Sequence, residues 1–168
     1  MINVLYYAEE LSVGGVENMM FQWIKHSLPN IHIDIMVSRI SDKQYAERFK
    51  KLGCRVYEAK CKAKNLCGKY KYVKRILSKN KYDIVHVHTS LATDFFILML
   101  AKQKGIRVRI AHSHNVPVIS SKITRFADSI CKPLLRHYTT DYFGCSKDSI
   151  IALFGEKIKN KKYSVIKN

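Results

Sequence analysis

Paired cysteine motifs are missing from this 168-residue sequence, because no two of its five cysteines form a Cys-x-x-Cys pair. An odd number without paired spacing argues against a disulfide framework and against a zinc ribbon. We expect all five to be reduced and structural: Cys54, Cys61, Cys67, Cys131 and Cys145.

Long hydrophobic runs and a basic N-terminal leader are also missing. The most apolar segment, FFILMLA at residues 95–101, is far shorter than the roughly 20 residues of a membrane-spanning helix, so we predict a buried helix there. No basic residue precedes the N-terminal apolar segment INVLYY, and Glu9 and Glu10 follow it closely, which is unlike a secretory signal. We therefore expect a cytoplasmic protein.

Proline and glycine are few, with 3 and 7 residues respectively. No segment rich in Pro, Gly or Ser divides the chain, and its length is that of one ordinary domain. We expect residues 1–168 to form a single compact domain.

Acidic residues are outnumbered, because 13 Asp and Glu stand against 30 Lys and Arg, for a net charge of +17. The excess is concentrated in residues 60–81, which contain no carboxylate. A helix from about Gly68 to Asn80 would turn its apolar stripe inward: Tyr70, Val73, Ile76 and Leu77. The outward basic residues are then candidate contacts for an anionic membrane surface: Lys69, Lys71, Lys74 and Arg75.

Two other interpretations of this basic run stay open. It fits an ordinary solvated face of a basic protein. It also has the charge of a nucleic-acid-binding segment, but its aromatic residues fit a core stripe better than a base-stacking platform. We expect no nucleic-acid partner.

Strand-like and helix-like segments alternate along the whole chain. Strands are predicted at residues 2–8, 32–38, 55–59, 83–89, 107–114 and 141–146. Nearly continuous hydrophobic strands with helices between them are typical of a parallel sheet covered on both faces. We predict an α/β, Rossmann-like three-layer domain with a mainly parallel sheet and helices on both faces. Ligands of such sheets bind beyond the carboxyl ends of the strands.

Two helices have informative boundaries. One is expected from about Thr124 to His137, bent or broken near Pro133, because proline lacks the N–H that a helix interior needs. Another follows the last of these strands, with Ser146 as its N-cap.

A pair of glycines, Gly14 and Gly15, follows the first strand and precedes a helix. Glycine lets the backbone approach a ligand closely, and the free N–H groups of a helix start favour an anion. The pair therefore suggests a phosphate or sugar cradle, although a plain tight turn fits it equally well. The Gly-x-Gly-x-x-Gly pattern of dinucleotide enzymes is absent.

Histidines are paired at the ends of two strands. His86 and His88 end the fourth strand and share one face of it, and His112 and His114 do the same at the fifth. Such pairs are more often structural than chemical. Zinc is an open but weaker alternative, because no acidic or cysteine ligand is evident beside them.

With these residues together, the sequence resembles the N-terminal domain of a GT-B fold glycosyltransferase of the large retaining family four. The resemblance covers essentially the whole chain. Four segments carry it: GGVE after the first strand, DIVHVHT at the fourth, RIAHSHN at the fifth, and GCSKDS opening a helix. The terminal KYSVIKN is similar to the strand that leads into the family's interdomain linker.

The resemblance implies roles for the glycines and histidines. Gly14 and Gly15 match the loop near the donor diphosphate and the transferred sugar. His114 matches the histidine beside the donor sugar that helps catalysis, and His88 matches one that lines the acceptor side. The implied reaction moves a hexosyl group, with retention, from a nucleotide-sugar to a glycan or lipid-linked acceptor, without a cofactor or an essential metal.

The resemblance also implies that a second, C-terminal donor-binding domain with the family's Glu-x7-Glu motif is absent from this chain. Glu9 and Glu17 match that spacing by coincidence. We expect the chain alone to be inactive, and the whole enzyme to meet the cytoplasmic membrane in polysaccharide assembly, such as capsule synthesis. The alternative is a non-catalytic module that binds a glycan or a nucleotide without transfer.

Overall fold

The computed structural model describes residues 1–59 and 66–166. The described residues form seven strands and six α-helices, with short 3₁₀ turns at Ala92–Asp94 and Glu156–Asn160. The strands are β1 (Ile2–Leu11), β2 (Ile31–Ile40), β3 (Val56–Glu58), β4 (Ile84–His88), β5 (Val108–Ser113), β6 (Asp141–Gly144) and β7 (Ser164–Val165). The helices are α1 (Gly15–Lys25), α2 (Lys43–Lys51), α3 (Leu66–Lys79), α4 (Phe95–Gln103), α5 (Lys122–Tyr138) and α6 (Lys147–Phe154).

The strands form one parallel sheet in the order β3-β2-β1-β4-β5-β6-β7. Strand β1 pairs with β2 from Ile2 opposite Ile31 to Leu11 opposite Ile40. The first six strands follow the order 3-2-1-4-5-6 of the Rossmann fold, in which right-handed crossovers put helices on both faces. The predicted α/β, Rossmann-like class is confirmed.

The chain divides into two compact units, an N-terminal unit of Met1–His86 and a C-terminal unit of Val87–Asn168. In the N-terminal unit, buried residues of β1 and β2 pack against α1 and α2. Strand β1 is three residues longer than predicted, because Leu11 is fully buried and pairs with Ile40. The apolar cluster of this unit contains Val4, Tyr6, Ala8, Leu11, Met19, Met20, Ile24, Ile33, Ile35, Val37, Tyr45, Ala46, Phe49 and Cys54.

In the C-terminal unit, α4 is buried as its apolar sequence predicts, with Ile97, Leu98 and Ala101 fully enclosed. Ser146 caps α6 as predicted: its side chain accepts from the Ser149 N–H, and the Ser149 side chain accepts from the Ser146 N–H. Such reciprocal capping satisfies two N–H groups that a helix start leaves open.

Helix α5 differs from the prediction, because it runs unbroken through Pro133. Proline removes the helical partner of the carbonyl four residues earlier, which is that of Ser129. Ser129 and Pro133 are both exposed, so water can satisfy that carbonyl in place of the missing N–H. The helix starts two residues earlier than predicted, since the Ser121 side chain accepts from the Thr124 N–H and caps it.

Two further predictions concern cysteines and membrane spans. The described cysteines are free thiols, as predicted: Cys54, Cys67, Cys131 and Cys145. Cys61 lies outside the described residues.

Among the described helices, none combines the length and hydropathy that crossing a bilayer requires. Lys60, Lys62 and Lys64 of the basic run, and Lys167 and Asn168, also lie outside the described residues.

Candidate functional site

Three histidines of the C-terminal unit form a cluster where β4 and β5 end. His88 is the last residue of β4, His112 lies in β5 and His114 follows it. His88 Nδ1 and His114 Nε2 are 2.8 Å apart and share a hydrogen bond. The rings of His112 and His114 stack with centroids 4.2 Å apart, as residues two apart on one side of a strand can.

Burial keeps His112 and His114 uncharged near neutral pH. His112 is fully buried, and desolvation, with a smaller contribution from His114, lowers its pKa to about 3. Desolvation also lowers the pKa of His114 to about 4. A neutral imidazole has one nitrogen that donates and one that accepts, so near neutral pH the pair can bind polar groups without carrying charge.

Neighbouring side chains hold the backbone around His114, but one nitrogen of its ring lacks a hydrogen-bond partner among the described residues. The Cys145 thiol donates a hydrogen bond to the His114 carbonyl, and Ser90 donates to the side chain of Asn115. The buried Nδ1 of His114 has no hydrogen-bond partner among the described residues. A buried polar atom without a partner carries a desolvation cost of about 1–3 kcal/mol, which a bound hydroxyl would offset.

His86, predicted to pair with His88, belongs to the aromatic packing of the N-terminal unit. Its ring makes an edge contact with Tyr6, at 5.1 Å between centroids, and lies 6.1 Å from Trp23. Its side chain is buried. We assign it a structural role.

The glycine pair opens α1, with Gly14 as the N-cap and Gly15 as the first helical residue. The carboxylate of Glu17 lies close beside Gly14. A Cβ atom at position 14 would come within 2.5 Å of Glu17 Oε2. Glu17 is buried, and Ser12 donates to it at 3.4 Å. Glu17 thus supports the helix start, where its negative charge suits the positive end of the helix dipole.

Lys69 corrects the prediction for the basic helix. It was expected to face outward toward a membrane, but its side chain is only 11% exposed and its Nζ lies 2.6 Å from Glu9 Oε2. The inward row of α3 is Lys69, Val73, Ile76 and Leu77, and Tyr70 is only partly buried. Lys74 and Arg75 are exposed as predicted, and so is Lys71.

A polar cluster around Glu9 could not be predicted from motifs in the sequence. Tyr7 donates to Glu9 at 2.6 Å, Ser38 donates at 3.3 Å, and the Lys69 ammonium completes the set. Burial alone would raise the pKa of Glu9, but the Lys69 charge and these hydrogen bonds hold it below its usual value. One signal in the sequence was available for Lys69: it lies one helical turn before Val73, and so on the same, inward side of α3.

Most of the chain matches one protein-family model. The model described as Glycosyltransferase Family 4 matches residues 13–168. A protein of Bacillus subtilis, named as glycosyltransferase EpsF, is 29% identical over 115 residues. That alignment covers 67% of this chain and 30% of the relative, so the matched segment is less than a third of the length of this relative.

Solved structures share the fold at low sequence identity. HepE from Anabaena, solved with UDP and glucose, has a TM-score of 0.69 and 12% identity, covering 100% of this chain and 44% of HepE. The lipopolysaccharide outer core galactosyltransferase WaaB has a TM-score of 0.66 and 15% identity, covering 99% and 46%. UDP-GlcNAc 2-epimerase from Neisseria meningitidis has a TM-score of 0.62 and 14% identity, covering 98% and 45%. Because transferases and an epimerase share this fold, the likeness assigns the fold alone.

Proposed function

Because the chain belongs to glycosyltransferase family 4, we propose that it is the acceptor-side, N-terminal domain of a retaining glycosyltransferase. The enzyme moves a hexosyl group from a nucleotide-sugar to a glycan acceptor. Most donor contacts come from a second domain outside these 168 residues, so the chain alone is inactive. The share of HepE that the chain spans, 44%, supports this division.

The observation that carries the proposal is His114 at the end of β5, which burial keeps neutral and which is hydrogen-bonded to His88 at the end of β4. Transfer of a sugar from a diphosphate passes through an oxocarbenium-like state, in which positive charge develops on the sugar. A neutral imidazole can bind a sugar hydroxyl without adding positive charge beside that centre. We assign this role to His114, whose buried Nδ1 takes a donor-sugar hydroxyl.

His88 has two proposed roles. It lines the acceptor side, and through Nδ1 it holds the ring of His114 in one orientation. Either His88 Nδ1 or His114 Nε2 donates in this hydrogen bond, depending on the tautomer of each ring. A fixed ring loses less freedom when the sugar binds, so His88 acts on the donor contact as a positioning residue.

The loop of Gly14 and Gly15 is proposed to face the donor diphosphate. The space around Gly15 supports this proposal, because nothing lies within 4 Å of a Cβ built there. Backbone N–H groups at the start of α1 would then meet the phosphate oxygens. No resident cofactor is needed, since the nucleotide-sugar is itself a substrate.

The acceptor is proposed to be lipid-linked, as in capsule or other polysaccharide assembly at the cytoplasmic face of the membrane. The exposed charges of Lys71, Lys74 and Arg75 on α3 support an anionic membrane contact. Three such residues contribute roughly 1 kcal/mol each near an anionic surface. Lys69 is not part of this proposed contact, because its ammonium is buried in an ion pair with Glu9.

The test of transfer is a substitution that removes the ring nitrogens of His114 and keeps an aromatic ring. We expect His114→Phe to lower kcat by about 100-fold or more in the complete enzyme, because a preorganised polar contact at the reacting sugar is lost. The assay follows labelled sugar from nucleotide-sugar to acceptor. The second domain is identified by sequencing the gene beyond the codon for Asn168.

The matched control is His26→Ala, because His26 is an exposed histidine just after α1 whose ring contacts the Gln22 carbonyl of that helix. It should leave kcat within about twofold. Circular dichroism establishes that both variants fold. Full turnover by His114→Phe would remove His114 from catalysis, whereas no transfer by the wild-type complete enzyme would favour a binding module.

A further inference from the structure

Helix α5 exposes a row of large apolar side chains. Ile123 is 83% exposed, Phe126 70%, Ile130 55% and Leu134 39%. Their spacing of three, four and four residues puts them on one side of the helix. Val116 and Val118, in the segment that leads into α5, are 57% and 99% exposed. Contiguous exposed apolar surface of this kind marks an interaction site.

The opposite side of α5 attaches the helix to its unit. Leu135 is fully buried, and the buried Asp128 accepts from the Ala92 N–H at 2.6 Å. The Phe95 ring stacks on that of Tyr138 at 6.2 Å between centroids. The helix is therefore held with its apolar row outward.

Basic residues follow the neighbouring row of the same helix. Residues 116–138 contain one carboxylate, that of Asp128, which is 3% exposed and pairs with Lys132. The adjacent row, again at spacings of three and four, is Lys122, Arg125, Ser129, Lys132 and Arg136. Of this row, Lys122 and Arg125 are exposed, whereas Lys132 pairs with Asp128 and Arg136 donates to the Phe154 carbonyl. The outer side of α5 is thus apolar along one row and bears exposed positive charge at the N-terminal end of the next.

This combination identifies the chemistry of the occupant. A helix with Phe and Ile on one face and Lys and Arg beside them suits the boundary between lipid headgroups and acyl chains. A second copy of this chain would bring another basic row, and a charge of +17, against the same surface, which is unfavourable. An anionic bilayer offers negative charge and an apolar interior together.

We propose that the α5 face, formed by Val116, Val118, Ile123, Phe126, Ile130 and Leu134 with Lys122 and Arg125, inserts into the surface of an anionic membrane. The proposal goes beyond glycosyl transfer, because insertion needs neither donor nor acceptor. It also differs from the contact proposed for α3. Salt screens a contact made by charges alone, whereas inserted apolar side chains hold the protein at high salt.

The test is sedimentation of the 168-residue chain with vesicles of phosphatidylcholine and phosphatidylglycerol, at low and high salt. We expect binding that persists at high salt. The double substitution Phe126→Gln with Ile130→Gln should weaken it by about tenfold or more, because two apolar side chains no longer leave water. Lys122→Glu with Arg125→Glu should weaken binding to these vesicles by about tenfold or more at low salt.

The matched control is Leu28→Gln with Leu52→Gln, since both leucines are exposed apolar residues of the N-terminal unit. It should leave binding unchanged. Circular dichroism verifies that each variant folds. Lys71→Glu with Lys74→Glu should remove only salt-sensitive binding.

A second measurement locates the insertion directly. Tryptophan placed by Phe126→Trp should be quenched by lipids with brominated acyl chains, and tryptophan placed by Leu28→Trp should not. Equal binding by wild type and the Phe126→Gln, Ile130→Gln variant would overturn the proposal. So would a wild-type dimer, found by sedimentation velocity without vesicles, that this variant abolishes. Turnover with a soluble acceptor reports on transfer separately.

Discussion

Gly14 and Gly15 are neighbours at the start of α1, but the space around them differs. At position 14, an added Cβ would meet the Glu17 carboxylate, while at position 15 it would meet no atom within 4 Å. Neither glycine has a positive φ. Only the space at position 15 is open, so a ligand that approaches the helix start would come close to Gly15 rather than Gly14.

The substitution Gly15→Ala separates folding from donor binding. We expect the free energy of unfolding to stay the same or rise by about 0.5–1 kcal/mol, because alanine favours the helix and meets no atom. If donor phosphates contact this backbone, the added methyl group should raise the KM for the nucleotide-sugar by about tenfold. Urea unfolding and donor-dependent kinetics measure the two effects.

Position 14 provides the comparison. Gly14→Ala must displace the Glu17 side chain, so it should change the local structure of the helix start as well. An unchanged donor KM in Gly15→Ala would show that the diphosphate lies elsewhere.

Part of the histidine cluster was predictable at this scale. Residues two apart on a strand share a side, so the strand pattern alone places His112 beside His114. The hydrogen bond of His88 to His114 was not predictable, because it depends on ring orientation. The packing of His112 against Phe143, at 5.9 Å between centroids, also comes from a residue 31 positions away in sequence.

At the scale of the element, α3 shows how one row of a helix can be misjudged. The apolar residues at 70, 73, 76 and 77 favoured Tyr70 as the inward position, yet Lys69 occupies it. Two contacts stabilise the buried ammonium: the Glu9 carboxylate, and the Tyr7 ring with its centroid 5.1 Å away. A lysine can bury its methylene stem and still pair its charge.

Lys69→Ala and Lys71→Ala should therefore differ in stability. Loss of Lys69 leaves Glu9 without its cation, so we expect the free energy of unfolding to fall by about 1–2 kcal/mol. The loss is smaller than for a fully buried ion pair, because Glu9 is partly exposed and solvent screens its charge. Loss of the exposed Lys71 should change it by less than about 0.5 kcal/mol. Urea denaturation measures both variants.

A double-mutant cycle with Glu9→Gln isolates the ion pair. The cost of Lys69→Ala should shrink when Glu9 is already neutral. Equal costs in both backgrounds would mean that the Lys69 stem, rather than its charge, provides the stability.

Helix α5 illustrates a limit of periodicity. Its apolar row at Ile123, Phe126 and Ile130 predicts a helix correctly, and periodicity alone assigns such a row to the core. The structure turns that row outward and buries Asp128 instead. The spacing of the apolar residues can be read from the sequence. The contact that lets Asp128 be buried cannot, because its partner is the N–H of the distant Ala92.

At the scale of the whole molecule, strand and helix alternation was sufficient to predict the parallel sheet. Right-handed crossovers limit the possible strand orders, but the order β3-β2-β1-β4-β5-β6-β7 is established only by the structure. The extra length of β1 could not be read locally, because Glu10 and Leu11 are held by pairing with Arg39 and Ile40 of β2.

The pH dependence of global unfolding tests the buried histidines. In the folded chain the pKa of His112 is about 3 and that of His114 about 4, while unfolded histidine titrates near 6.5. As pH falls below about 6.5, the unfolded chain binds protons that the folded chain does not, so stability decreases. Each histidine contributes a slope of about 1.4 kcal/mol per pH unit until its folded pKa is reached.

The variant His112→Leu should remove one of these slopes. Between about pH 6.5 and 4.5, it should lose about 2 kcal/mol less stability than the wild type. Urea unfolding at several pH values provides the measurement, and His26→Ala serves as the exposed control. Parallel curves for wild type and His112→Leu would mean that His112 titrates normally in the folded chain.

The apolar cluster of the N-terminal unit also affects how the chain emerges from the ribosome. Its buried members all lie between Val4 and Cys54. Translation adds about 5–20 residues per second, so residues 87–168 follow over about 4–16 s. During those seconds the nascent chain already contains a complete apolar cluster. Early collapse of that cluster shortens the time for which its side chains are open to chaperones and proteases.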